Sequence, residues 1–182
     1  MYELGTSTRI RQGDIFTDIE FDFVAGDTLE AHFPYVVVIS QDCDLEQDSG
    51  ARNVNSLKHD AFLDTVLICP AFNADVFRSG EHLLGIEMQM ESKGKADSTT
   101  WNFIKSNREP RYHFLRADPD TKLPELVVDF KRYYTVPRNA LYDQYDTHFC
   151  CSVAELFREL LSQRFAYYLS RVGLPNPSDS VK

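Results

Sequence analysis

The sequence predicts a single α+β domain, and three stretches carry that expectation. Residues 35–40 (Tyr35, Val36, Val37, Val38, Ile39, Ser40) and 65–69 (Thr65, Val66, Leu67, Ile68, Cys69) are short, continuous and rich in β-branched side chains. Such runs mark strands buried on both faces. Residues 153–172 instead repeat apolar side chains at three- and four-residue steps, the stripe of an amphipathic helix. At 182 residues the chain suits one domain, 1–182, with a core of ordinary size.

The elements follow in order. Gln12, Gly13 and Asp14 form a turn between two short extended pieces within residues 9–24, and Ile19, Phe21 and Phe23 alternate in the second. Ala25, Gly26 and Asp27 end that run. Pro34 opens the 35–40 strand, which stops at Gln41, Asp42, Cys43 and Asp44. Residues 45–59 are polar and turn-rich and read as an exposed loop. Pro70 halts the 65–69 strand. The pattern over 73–90 admits a helix near 74–84, and a polar loop occupies 91–99. Residues 101–106 read as a short helix. Residues 111–115 read as a strand with Tyr112 and Phe114 on one face and Arg111 and His113 on the other. Two more extended pieces cover 125–130 and 132–136, and Pro137 leads into a short helix through Leu141. Ser152 and Glu155 have the spacing of a capping box at the start of the terminal helix, with Gly173 and Pro175 placed to close it. Its apolar stripe is expected to pack on the core.

Composition narrows the partners. No run of eighteen apolar residues exists and no basic-then-apolar leader opens the chain, so a cytoplasmic address without membrane contact is expected. A net charge of −9 argues against sequence-blind binding to a phosphate backbone. The charge is uneven, however. Residues 101–138 carry eight Lys or Arg against five Asp or Glu. Cys43, Cys69, Cys150 and Cys151 show neither CxxC spacing nor a disulfide framework. They read as reduced thiols, and the adjacent Cys150 and Cys151 are not expected to bridge each other.

Three groups of residues could carry chemistry. Asp42, Cys43 and Asp44, followed by Glu46 and Asp48, gather acids and a thiol at a strand end. A hard cation, a thiol nucleophile and a merely solvated acidic turn all fit that composition. The second group mixes cations with aromatic rings: Lys105, Arg108, Arg111, Tyr112, Arg116, Arg132 and Tyr133. Rings stack on bases while Arg and Lys meet phosphates, so this segment is the expected partner-binding surface. A packed aromatic core with flanking surface cations would give the same pattern. The five histidines are scattered without metal-ligand spacing, and no nucleotide-loop or cofactor motif occurs, so no cofactor is expected.

Gly13-Asp14-Ile15, the valine strand ending at Ser40, and the Val66-to-Cys69 strand running into Pro70 together resemble the MazF/PemK-like toxins. The resemblance covers residues 10–72. It implies a small SH3-like antiparallel barrel, here 9–72 plus 111–136, elaborated by extra strands and closed by a helix over 152–173. In that family the fold implies metal-independent RNA cleavage, assisted by an Arg before the valine strand and a Thr or Ser after the later Pro. Phe33 and then Ala71 and Phe72 stand at those positions. A phosphorane without a cation loses its main electrostatic support. The resemblance therefore implies a non-catalytic binding or regulatory module of a bacterial toxin–antitoxin or defence-type system, contacting nucleic acid or a protein partner. RNA or a protein is the expected partner, and a homodimer is also expected. The alternative it leaves is an endoribonuclease using Arg11, Asp14 and Ser40 in a rearranged site.

Overall fold

The computed structural model describes residues 1–5, 7–25 and 27–171. Gly26, expected in a turn, and Val172, Gly173 and Pro175, expected to finish the last helix, lie outside the described residues. The fold is α+β, built on one eight-stranded antiparallel sheet. β1 (Tyr2–Glu3), β2 (Asp14–Ala25), β3 (Asp27–Val38) and β4 (Thr65–Asn73) come first. β5 (Tyr112–Leu115), β6 (Leu126–Asp129), β7 (Tyr134–Pro137) and β8 (Phe149–Val153) follow. Their spatial order is β1-β8-β2-β3-β4-β6-β5. β4 shares its far edge, giving Thr65 to Ile68 to β7 and Ala71 to Asn73 to β6.

Among the described residues six α-helices cover the faces: α1 (Asp42–Asn53), α2 (Ala74–Ser79), α3 (Thr99–Lys105), α4 (Arg138–Asp143), α5 (Tyr145–His148) and α6 (Glu155–Leu169). Strand alternation sorts the core. Val36 and Val38 join Ile19, Leu45 and Leu141 on one face, while Val37 and Ile39 join Cys151, Leu161 and Phe165 on the other. Both faces of the valine segment of β3, Val36 to Val38, are therefore buried, as its continuous apolar run predicts. A third cluster, around Phe77, Trp101 and Phe114, packs α2 and α3 on the far end of the sheet. Each fully buried aliphatic or aromatic side chain contributes about 1.5–3 kcal/mol by leaving water.

The sheet curls. A flat sheet would hold β1 and β5 roughly 29 Å apart, at about 4.8 Å per strand. Here Tyr2 of β1 donates its hydroxyl to the carbonyl of Arg116, one residue past β5, at 2.7 Å. Tyr2 and Leu115 also pack in the same cluster, and Leu161 and Phe165 of α6 plug it. Among the described residues no ladder joins β1 to β5, so the sheet is not closed. The outer edge of β5 is occupied by side chains. Phe114 N–H donates to Asn107 Oδ1 (2.6 Å), Asn107 Nδ2 donates to Phe114 O (3.3 Å), and Arg164 Nη2 donates to Tyr112 O (2.7 Å). Asn107 adopts the left-handed region (φ 57°) to do so. β8 carries a bulge: Ile15 pairs Cys151 and Phe16 pairs Phe149, leaving Cys150 without an opposite residue.

Several expectations need correction. Residues 45–59 are not loop throughout, because α1 runs from Asp42 to Asn53. Asp48 supplies the reason. It is buried and accepts from Leu63 N–H (2.9 Å), Arg52 Nε (2.7 Å) and Arg138 Nε (2.5 Å). A polar helix face is thus satisfied by Arg52 one turn along the same helix and by Arg138, ninety residues away. The capping box does not form either. Ser152 sits in β8, and Ala154 is the N-cap without a side-chain bond. Of the two extended pieces expected in 9–24, the first forms no strand and the second is β2, which starts at Asp14 after the expected turn and runs to Ala25; β1 and β8 carry no sequence signal. The helix near 74–84 stops at Ser79, where Gly80 (φ 87°) turns the chain; a Cβ there would meet Met90 O at 2.3 Å. The alternation in β5 holds, with Tyr112 and Phe114 in one cluster and Leu115 in the opposite one.

Candidate functional site

α3 builds one wall of a surface groove. Ser98 caps its N-terminus by accepting from Trp101 N–H at 3.2 Å, and Trp101 and Ile104 turn inward. That phase leaves Phe103 46% exposed and points Lys105 along the same wall. Arg108 follows in the turn, and β5 delivers Arg116 opposite. Together they line a cavity of about 790 Å³ whose only acidic lining residue is Glu125. Arg108 lies 6.0 Å from the Phe103 ring centre and Lys105 Nζ lies 5.8 Å from that of Phe114. Among the described residues none of these three cations forms an ion pair. A second cavity of about 480 Å³ adjoins and shares Lys105, Phe114 and Arg116. It occupies the seam between β1 and β5, under Phe157 and Leu160 of α6.

The other members of the cationic-aromatic group sit elsewhere. Arg111 makes a two-pronged pair with Asp129 (2.7 and 2.6 Å), and Arg132 approaches the same carboxylate at 3.8 Å. Asp129 is fully buried, so these cations serve a buried charge as well as a surface. With Tyr133 they line a separate cavity of about 380 Å³ near Met88 and Met90. Tyr112 packs in the core against Phe77, with ring centres 4.9 Å apart. His113 is buried beside Phe130, and its Nδ1 has no partner. Burial pushes its pKa down to about 3, with the Arg164 charge adding to the effect.

Arg11 and Asp14 do come together. Asp14 is fully buried at the start of β2, accepts from Arg11 N–H (2.8 Å) and from the Ser152 hydroxyl, and Arg11 Nη2 donates to Ser152 Oγ at 2.7 Å. Burial lifts the Asp14 carboxyl to about 6, although Ser152 and Arg11 pull the other way. Ser40 is not hydrogen-bonded to this group; its Oγ accepts from Leu67 N–H at 2.8 Å. Asp42 is likewise engaged. Arg9 holds both of its oxygens at 3.0 and 2.9 Å, and Gln12 N–H donates to it at 3.1 Å. Cys43 and Asp44 lie exposed on the first turn of α1. Among the described residues no group of three or more His, Cys, Asp or Glu side chains is placed to hold a metal ion.

Phe103 and Ser152 escape the sequence reading. The spacing from Trp101 to Ile104 fixes which side of α3 faces inward and could have exposed Phe103; Ser152 needs the pairing of β8 with β2. Fold and groove together define the class: an α+β protein on one curled antiparallel sheet, with a cationic groove beside the seam. No family model and no curated protein matches the chain.

Proposed function

We propose that this chain is a non-catalytic, MazF-like binding module that holds a short single strand of RNA in the groove lined by Lys105, Arg108 and Arg116. The observation that carries the reading is the groove itself: three cations without acidic partners beside a half-exposed Phe103 ring. Phosphates suit the cations and a base suits the ring, the combination single-strand binders use. The molecule's net charge of −9 restricts binding to this face.

The SH3-like barrel belongs to this proposal as well. In its favour, β2, β3 and β4 follow one another in the sheet, and Tyr2 reaches the end of β5 across the seam. Phe33, Ala71 and Phe72, which stand where the toxins carry a cation and a hydroxyl, are buried in the core. That favours capture without cleavage. A place in a toxin–antitoxin or defence-type system is part of the same proposal and rests on the resemblance alone.

Fluorescence anisotropy with a labelled ten-nucleotide RNA tests it. Wild-type protein should bind, with log K falling against log salt at a slope of about −2 for three phosphate contacts. The double variant R108E/R116E should lose binding while K58E, far along the chain, keeps it. No binding by wild type at low salt, or full binding by the double variant, sinks the reading. Cleaved RNA, persisting in a chelator, would move the assignment to an endoribonuclease.

A further inference from the structure

The bulge in β8 alters which way two thiols face. In a regular strand Cys150 and Cys151 would point to opposite sides of the sheet. The bulge places two residues of β8 against one of β2, so the alternation skips a step there. The packing follows the skip. Phe149 packs on the cluster around Ile19 and Phe16, whereas Cys150 and Cys151 both pack on the cluster around Ile15, Val37 and Phe165. Val153, two residues further on, keeps that side as well.

From this geometry we infer that Cys150 and Cys151 form a vicinal dithiol, a modification site that a peroxide-class oxidant closes reversibly. Cys150 is partly exposed and meets the oxidant; Cys151, the next residue, is fully buried. Attack by the Cys150 thiolate breaks the peroxide O–O bond, giving a sulfenic acid and releasing the other oxygen as water. The Cys151 sulfur then attacks the Cys150 sulfur, the S–S bond forms, and the sulfenic oxygen leaves as a second water. Two thiols and one hydrogen peroxide thus give one disulfide and two waters.

The surroundings suit those roles. The neighbouring Cys151 sulfur draws the Cys150 thiol down to about 7 against its burial, while the thiol form of Cys150 donates to Thr121 O at 3.8 Å. The Cys150 sulfur beside it and its own burial hold Cys151 up as the thiol. A reachable low-pKa cysteine beside a resolving one is the arrangement of a redox-responsive site. Adjacent Cα atoms lie about 3.8 Å apart, shorter than disulfides prefer. The closed ring is therefore strained and easily reduced, which makes the site switchable rather than a structural staple. The other thiols compete poorly: Cys69 is buried in another strand, and Cys43 is exposed with no neighbour of its kind.

The test uses the full chain carrying C43S, treated with hydrogen peroxide at near-equal concentration, quenched with N-ethylmaleimide and mapped by mass spectrometry. The peptide holding both cysteines should lose two hydrogens, resist alkylation, and regain two reactive thiols with dithiothreitol. In C151S, Cys150 should stop at a sulfenic acid that dimedone traps; in C150S, Cys151 should stay unmodified. Alkylation of both thiols after peroxide, or conversion of Cys150 to a sulfinic acid with Cys151 untouched, overturns the assignment. Because the peptide with both cysteines intact is measured directly, a poorly folding variant leaves the test decisive.

Discussion

Asp14 shows how a single buried residue can serve assembly and oppose stability at once. It ties the Arg11 turn to Ser152 and so joins β2 to β8. Its carboxyl is lifted to about 6 because burial outweighs those contacts. A folded pKa above the unfolded value means that the folded state binds more protons in that window. Stability from this group is therefore fully present below about pH 4 and is lost as pH rises through about 6. In Asp14→Asn this component should vanish. Unfolding free energy at pH 6.5 minus that at pH 4 should then be more positive in the variant than in wild type. Chemical denaturation at the two pH values measures it. Asp42 behaves oppositely. Burial raises its pKa, but Arg9 and the Gln12 N–H more than offset that, so its stabilisation is present above the usual carboxylate range and lost in acid. Asp48 follows the same sign, held down by Leu63, Arg52 and Arg138 against burial.

At the level of elements, α6 carries the clearest sequence signal and is only partly what that signal promises. The helix exists, yet Leu161 and Phe165 alone are buried, while Leu156 is 74% exposed and Leu160 44%. Leu161→Ala should cost about 2–5 kcal/mol through lost burial and a cavity. Leu156→Ala should stay within about 0.5 kcal/mol of wild type. Equal losses by thermal denaturation would mean that the exposed side of α6 is covered in solution. Periodicity identifies an amphipathic helix, but it does not reveal how wide a strip the neighbours can cover. The same limit explains the missing capping box. Ser152 and Glu155 have the right spacing, but pairing with Asp14 holds Ser152 in β8. The valine run 36–38 and the 66–69 run are legible as strand because buried positions there fall on both faces and the signal is composition alone. β3 nevertheless begins at Asp27, ahead of Pro34, and β4 runs through Pro70 to Asn73. α1 is not legible, since its buried Asp48 is matched in part by Arg138, ninety residues away. The groove is half legible: Lys105, Arg108 and Arg116 converge as their mixed composition suggests, whereas Arg111 and Arg132 are claimed by Asp129.

For the molecule as a whole, the curl matters most. Tyr2 joins the first strand to the far end of the sheet, so the N-terminus helps shape the cavity next to the cationic groove. Tyr2→Phe removes only the hydroxyl bond and should lower stability by about 0.5–1.5 kcal/mol. Tyr2→Ala also strips packing from the main cluster and should lower it further, as urea unfolding would show. Matching losses would mean that the ring contributes nothing to the seam. The plugged margin of β5 has a different consequence. A bare outer strand invites a stranger's backbone to continue the ladder, the first step toward fibrous stacking of copies. Here the amide of Asn107 already satisfies Phe114 on both counts, and Arg164 claims the Tyr112 carbonyl. An incoming chain finds no free register to read, so the sheet is guarded against lengthening at that margin.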